Sequence, residues 1–127
     1  MNVPEKPTLL IVDDEQNFTE SLRFAIDGDF TVSVADSLES ARELLKDGMP
    51  AVILLDLRLP DGEGIELLHE LKASSPMPVV VIMTAFATVD NFIRAQHEGA
   101  VDFFPKPLDI LKLKRVIRIE LEKKNAE

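Results

Sequence analysis

The sequence predicts a doubly wound α/β fold built around a five-stranded parallel sheet. Five short apolar runs alternate with five segments in which apolar residues recur at helical spacing. The fourth run, at 79–83, is apolar at every position, a pattern typical of parallel strands covered by helices on both faces. Because parallel crossovers are right-handed, the five helices are expected on both sides of the sheet.

The first part of the chain contains two strand–helix units. Residues 8–12 are strand-like, and an apolar residue recurs at every fourth position of 18–26, which predicts a helix. A second strand is predicted at 31–35. Ser37 is a favourable N-cap for the helix that follows at 38–45.

The rest of the chain contains three more units. The aliphatic run at 52–55 predicts the third strand, and one apolar face at 65–71 predicts the third helix. The fourth strand, at 79–83, is followed by a weaker helical pattern at 89–96. The last unit comprises a short strand at 102–104 and a helix at 110–121.

Composition excludes several classes of function. Fourteen Lys and Arg against 23 Asp and Glu give a net charge of 14 − 23 = −9, which argues against direct nucleic-acid binding. The absence of cysteine excludes disulfides, zinc-thiolate sites and thiol catalysis, and is compatible with the expected cytoplasmic location. No apolar stretch approaches the roughly 20 residues of a membrane span, so no membrane partner is expected.

The 127 residues fit one compact domain, predicted at 8–121. Residues 1–7 are polar with two prolines and are predicted to be a flexible leader. Residues 122–127 are predicted to begin a linker or C-terminal tail. Because the last helix continues into charged residues without a terminating Gly or Pro, we expect a fragment of a longer protein.

Acidic residues follow two of the predicted strands. Asp13 and Asp14 follow the first strand, and Asp56 follows the third. The carboxyl ends of parallel strands meet at the ligand-binding edge of such a sheet. Three carboxylates gathered there would repel one another without a cation, and an all-oxygen set suits a hard cation such as Mg2+.

Two further strands contribute a hydroxyl and an ammonium group. Thr84 follows the fourth strand and Lys106 follows the fifth. Thr84 can donate a hydrogen bond to a phosphoryl oxygen, and Lys106 can neutralise a second oxygen as a point charge. One carboxylate then remains to accept a phosphoryl group as an acyl phosphate.

Four short motifs each follow a predicted strand. In chain order they are Asp13-Asp14, Asp56, Thr84-Ala85 and Lys106-Pro107. In this combination they resemble the receiver domain of two-component response regulators over residues 8–121. The resemblance implies the flavodoxin-like (βα)5 receiver fold. It also implies Mg2+ as cofactor, and a sensor histidine kinase or phosphotransfer protein as partner.

The family resemblance assigns the phosphoacceptor and the metal ligands. Asp56 would accept the phosphoryl group, and Asp13 and Asp14 would form the acid pocket. Asp14 and Asp56 would bind Mg2+ directly, and the backbone carbonyl of Arg58 would be a further metal ligand.

The resemblance also assigns a switch. Thr84 and Lys106 would contact the phosphoryl group, and the bond between Lys106 and Pro107 would be cis. Phe103 occupies the position of the switch aromatic, where tyrosine is more common. Phenylalanine has no hydroxyl group, so no hydrogen bond from the ring can mark its inward position. Phe86 and Arg58 flank the path by which water would reach the phosphoryl group, and their bulk is expected to slow its loss.

The runs at 55–62 and 103–109 resemble the receivers of NtrC-type enhancer-binding activators with a central AAA+ ATPase. The predicted function is therefore a phosphoacceptor signalling domain, not an enzyme in the usual sense, that has intrinsic phosphorylation and dephosphorylation chemistry. It would control a transcriptional effector domain on the same longer chain, with a homodimer as one form of output.

Three alternatives remain open at this level: a stand-alone receiver, a pseudo-receiver that acts only by binding, and a Mg2+-dependent phosphohydrolase using an aspartyl phosphate. Phosphohydrolases of that kind usually carry a second acid two residues after the nucleophile. Arg58 occupies that position here, which counts against the last alternative.

Overall fold

The computed structural model describes residues 6–126. Most of the leader predicted at 1–7 lies outside the described residues. Within the described range, no helix is both long enough and apolar enough to cross a membrane. The five predicted strand–helix units are all present, and the predicted fold class is confirmed.

Residues 6–126 contain seven strands and five helices. The strands are β1 (Thr8–Val12), β2 (Thr31–Ala35), β3 (Val52–Leu55), β4 (Arg58–Leu59), β5 (Gly62–Glu63), β6 (Val79–Thr84) and β7 (Asp102–Pro105). The helices are α1 (Gln16–Ile26), α2 (Leu38–Lys46), α3 (Gly64–Leu71), α4 (Val89–His97) and α5 (Ile110–Asn125).

Five of the strands form one parallel sheet in the order β2-β1-β3-β6-β7. The register aligns the strand ends, since Val12 is opposite Leu55, and Leu55 is opposite Ile82. The strand order places β1, β3 and β6 side by side in the middle of the sheet. Side chains that follow these strands therefore emerge together at one edge.

The core has two halves, one on each face of the sheet. Alternate residues of each central strand point to opposite faces, so Leu54 and Val81 belong to one half and Ile53 and Val80 to the other. Helices α1 and α5 cover the first half, and α2, α3 and α4 cover the second. Burial on both faces explains why the central strands are apolar at consecutive positions.

The sequence did not predict the small antiparallel hairpin formed by β4 and β5 between β3 and α3. At its turn, the Asp61 carboxylate accepts hydrogen bonds of 2.9 Å from the backbone N–H groups of Leu38 and Glu39. The hairpin therefore caps the N-terminus of α2, together with Ser37, whose hydroxyl accepts from the Ser40 N–H.

Candidate functional site: an acidic edge of the sheet

Asp13 and Asp56 lie at the carboxyl edge of the sheet, immediately after β1 and β3. Their backbone N–H groups continue the sheet ladder, from Asp13 to Ala35 O at 3.0 Å and from Asp56 to Val12 O at 2.9 Å. Only 1% of Asp13 and 4% of Asp56 is exposed. Both carboxylates are thus held by rigid backbone and removed from bulk water.

The ammonium of Lys106 lies among three carboxylates. Its Nζ atom is 2.6 Å from Asp13 Oδ2, 2.9 Å from Glu15 Oε1 and 3.1 Å from Asp56 Oδ2. The ring of Phe18 covers another side of the ammonium, with its centroid 4.2 Å from Nζ. One cation thus neutralises part of the charge of a cluster that would otherwise be strongly repulsive.

Burial and charge act in opposite directions on these groups. Burial raises the pKa of Asp13 above its usual value, and the nearby Asp56 charge adds to that rise. The Lys106 ammonium and the Glu15 backbone N–H offset only part of it. For Lys106, burial alone would lower the pKa, but its contacts with Asp13, Glu15 and Asp56 outweigh this and raise the pKa. Lys106 is therefore fully charged at neutral pH.

The donor set fits a hard divalent cation. Oxygen atoms of Asp13, Glu15 and Asp56 lie within 4.8 Å of one another, which no other group of three such residues achieves in residues 6–126. Asp13 Oδ2 is buried and has only an ionic contact with Lys106, without hydrogen-bond geometry. A buried carboxylate oxygen that makes an ion pair but no well-directed hydrogen bond, beside further carboxylates, is a suitable ligand for Mg2+.

The other predicted metal ligands lie near this cluster. Asp14 is exposed and is not a member of the group of three carboxylates. Arg58 follows Asp56 by two residues, and its backbone N–H donates to Asp56 Oδ1 at 3.4 Å. Gly64 closes the same loop, since its N–H donates to Leu57 O at 2.8 Å.

Thr84 and Lys106 are brought together by the pairing of β6 with β7. The Lys106 N–H donates to Thr84 O at 3.0 Å. Thr84 is fully buried, and its Oγ1 accepts a hydrogen bond of 3.0 Å from the Phe86 N–H. The bond between Lys106 and Pro107 is cis. Thr84 thus ends β6 and Lys106 directly follows the adjacent β7, two and three strands away from β1.

Phe103 lies on β7, half-buried against the core beneath α4. Its ring contacts the ring of Phe92 on α4 edge to face, with centroids 5.8 Å apart and an interplanar angle of 68°. The contact joins the last strand of the sheet to α4, three residues before Lys106.

Two residues of the cluster were missed by sequence reasoning. Glu15 and Phe18 both approach Lys106, although 91 residues separate Glu15 from Lys106 in the chain. The sequence offered one indication of the role of Glu15, namely that it directly follows the Asp13-Asp14 pair. An acid beside a strand end is common, and only the tertiary structure shows that this one turns towards the lysine.

The parallel (βα)5 sheet and its acidic edge define a domain of the receiver class. A family model described as the response regulator receiver domain matches residues 9–118. The chain therefore belongs to the response regulator receiver domain family, a family of signalling domains.

Comparison with individual proteins gives the same assignment. The chain is 35% identical to the regulatory protein AtoC of Escherichia coli (strain K12) over 116 residues, 90% of this chain and 25% of AtoC. It is 37% identical to the KDP operon transcriptional regulatory protein KdpE of the same strain over 119 residues, 93% of this chain and 52% of KdpE. The chain thus spans about a quarter to a half of the length of these two relatives.

Among solved structures, the chain is similar to the beryllofluoride-activated receiver domain of nitrogen regulatory protein C (NtrC). The two are 29% identical with a TM-score of 0.80, over 95% of this chain and 98% of that receiver. The predicted likeness to NtrC-type receivers is confirmed by this match.

Proposed function

We propose that Asp56 accepts a phosphoryl group from the phosphohistidine of a sensor histidine kinase or phosphotransfer protein. The observation that carries this proposal is the position of Asp56, a buried carboxylate 3.1 Å from the Lys106 ammonium at the edge of the sheet. Asp13 is paired with the same ammonium but sits deeper in the site, at 1% exposure. Asp56 follows β3, the middle strand of the sheet, and so lies between the acid pocket after β1 and Thr84 at the end of β6.

In the proposed reaction an oxygen of Asp56 attacks phosphorus and forms a new P–O bond. The P–N bond of phosphohistidine breaks, and its electron pair returns to the imidazole nitrogen. Lys106 neutralises one phosphoryl oxygen as charge develops, and the Thr84 hydroxyl donates a hydrogen bond to another. Both groups come from neighbouring strands at the same edge of the sheet.

Mg2+ would be held by Asp14 and Asp56, with Asp13 in the acid pocket and the Arg58 carbonyl as the backbone ligand. When bound, the metal supplies charge stabilisation for the transferring phosphoryl group. The fit of Asp13 to such a site is supported by its buried Oδ2 atom, whose contact with the Lys106 ammonium lacks hydrogen-bond geometry.

The output is a shift between two conformations. Thr84 would move towards the phosphoryl group, and Phe103 would move inward and alter its contact with Phe92 on α4. The surface formed by α4, β7 and α5 would then change its affinity for a second copy of the chain or for an effector domain on the same chain. Transcriptional control is supported by the name of the relative KdpE, a transcriptional regulatory protein.

The test is labelling with acetyl phosphate and Mg2+, followed by intact mass measurement. Wild-type protein should gain one phosphoryl mass, and Asp56→Asn should gain none. Asp47→Asn, which removes an exposed acid at the end of α2, is the matched control and should be labelled like wild type. Equal labelling of Asp56→Asn and wild type would disprove the assignment.

A further inference from the structure

We propose that Glu15 is a positioning residue that draws the Lys106 ammonium towards α1 in the resting state and so opposes its engagement with a phosphoryl group on Asp56. This inference rests on the proposed function of Asp56 and Lys106. It adds a residue that the motifs of the acidic edge do not include.

The first argument is the use of the Glu15 side chain. Glu15 is the N-cap residue of α1, yet its side chain makes no capping hydrogen bond to that helix. It extends instead to Lys106, with 2.9 Å between Oε1 and Nζ. The Glu15 carboxylate thus lies near the N-terminus of α1, where a negative charge is favourable, and also contacts the Lys106 ammonium.

The second argument is the environment of the ammonium. Lys106 has a side chain only 9% exposed, and the Phe18 ring from the first turn of α1 limits its movement on one side. Asp13 and Asp56 belong to the sheet edge, where the metal and phosphoryl group would be. Glu15 adjoins the same carboxylate group but belongs to the N-cap of α1, and 61% of its side chain is exposed.

A consequence follows from charge balance. When Asp56 carries a phosphoryl group, the ammonium can serve the new oxygens only by weakening one of its resting contacts. Glu15 then competes with the phosphoryl group for the same cation. Removing the charge of Glu15 should therefore favour the activated state. The gain in free energy should be no larger than that of an exposed ion pair.

The experiment measures binding of beryllofluoride, a phosphoryl mimic, by isothermal titration calorimetry at saturating Mg2+. Glu15→Gln should bind it about two- to fivefold more tightly than wild type. Glu20→Gln, which removes an acid from the same helix away from Lys106, should bind like wild type. Equal affinity of Glu15→Gln and wild type would overturn the proposal.

A second titration, with Mg2+ alone, separates this role from that of a metal ligand. If Glu15 acts on Lys106, Glu15→Gln should bind Mg2+ no more tightly than wild type while binding beryllofluoride more tightly. Weaker binding of both would identify Glu15 as a metal ligand and overturn the positioning role. Failure of wild-type protein to bind beryllofluoride would instead contradict the proposed function of Asp56.

Discussion

The guanidinium of Arg58 lies over the ring of Phe86, with its central carbon 3.7 Å from the ring centroid. Arg58 follows Asp56 by two residues, and Phe86 follows Thr84 by two, so the contact joins the two loops that carry the proposed acceptor and hydroxyl. Both side chains are exposed, and a cation–π contact at such a site contributes about 0.5–1 kcal/mol. This contact is well placed to restrict the approach of water to Asp56.

We therefore predict that Arg58→Ala and Phe86→Ala shorten the lifetime of the phosphoryl group by about two- to fivefold, the equivalent of one exposed cation–π contact. The decay of the phosphorylated mass after removal of the phosphodonor measures this. Val89→Ala, at an exposed apolar position near Phe86, is the control. Unchanged decay in both variants would show that the contact does not limit water access.

A second prediction concerns metal binding. Because Mg2+ binds the folded form, it should raise the free energy of unfolding by about 2.7 kcal/mol at a concentration one hundred times its Kd. Asp14→Ala should remove this gain and leave the metal-free protein folded. Thermal melts with and without Mg2+ measure the effect, and Glu20→Gln should retain it. A wild-type melting temperature insensitive to millimolar Mg2+ would contradict the site.

A third prediction concerns pH and the hairpin. Hydrogen bonds from the N–H groups of Leu38 and Glu39 lower the pKa of Asp61 below its ordinary value of 3.8. A depressed carboxyl pKa in the folded state stabilises the protein above the ordinary pKa, and this contribution is lost as pH falls through the depressed value. Asp61→Ala should thus lower the melting temperature at pH 7.

The difference between Asp61→Ala and wild type should shrink as the pH falls from 3.8 through the depressed pKa of Asp61, below which the carboxyl is protonated in the folded state as well. Melting curves between neutral and acidic pH provide the comparison. A constant gap across the range would mean that the charge of Asp61 is not what caps α2.

A fourth prediction concerns Gly64. A Cβ atom at this position would lie 2.0 Å from the backbone oxygen of Asp56. Gly64→Ala must therefore displace the loop after β3, and should cost about 1–3 kcal/mol in unfolding free energy and slow phosphorylation of Asp56. Gly28→Ala is the matched control, because its Cβ would meet nothing within 4 Å. Chemical denaturation and phosphorylation rates test both variants. A Gly64→Ala protein as stable as Gly28→Ala would contradict the predicted clash.

A fifth prediction concerns Phe103. If its ring moves on phosphorylation, beryllofluoride should shift the balance between monomer and dimer, measured by sedimentation. Phe103→Ala should blunt that shift but still be phosphorylated, because the ring contacts Phe92 rather than Asp56. Phe24→Ala, at a highly exposed position on α1, is the control. A Phe103→Ala protein that cannot be phosphorylated would place the ring in the chemical site instead.

Local sequence patterns were enough to predict the alternation of strands and helices and the strand ends that carry the candidate site residues. The central strands are apolar at consecutive positions because both faces are buried, and this local pattern is visible without tertiary structure. The end of β6 was predicted one residue early, since Thr84 still pairs with Pro105. Because the carboxyl ends of parallel strands meet at one edge, the site residues after those strands could be predicted to lie together; these are Asp13, Asp56, Thr84 and Lys106.

The side-chain contacts across that edge depend on tertiary packing and could not be predicted from local patterns. The hairpin of β4 and β5 is too short to show a periodic pattern, and its capping of α2 depends on Asp61, more than 20 residues from Leu38. The approach of Glu15 to Lys106 depends on how α1 leaves β1, and the contact of Arg58 with Phe86 depends on two loops from neighbouring strands. Such contacts join distant residues, and their geometry is determined by packing rather than by local sequence.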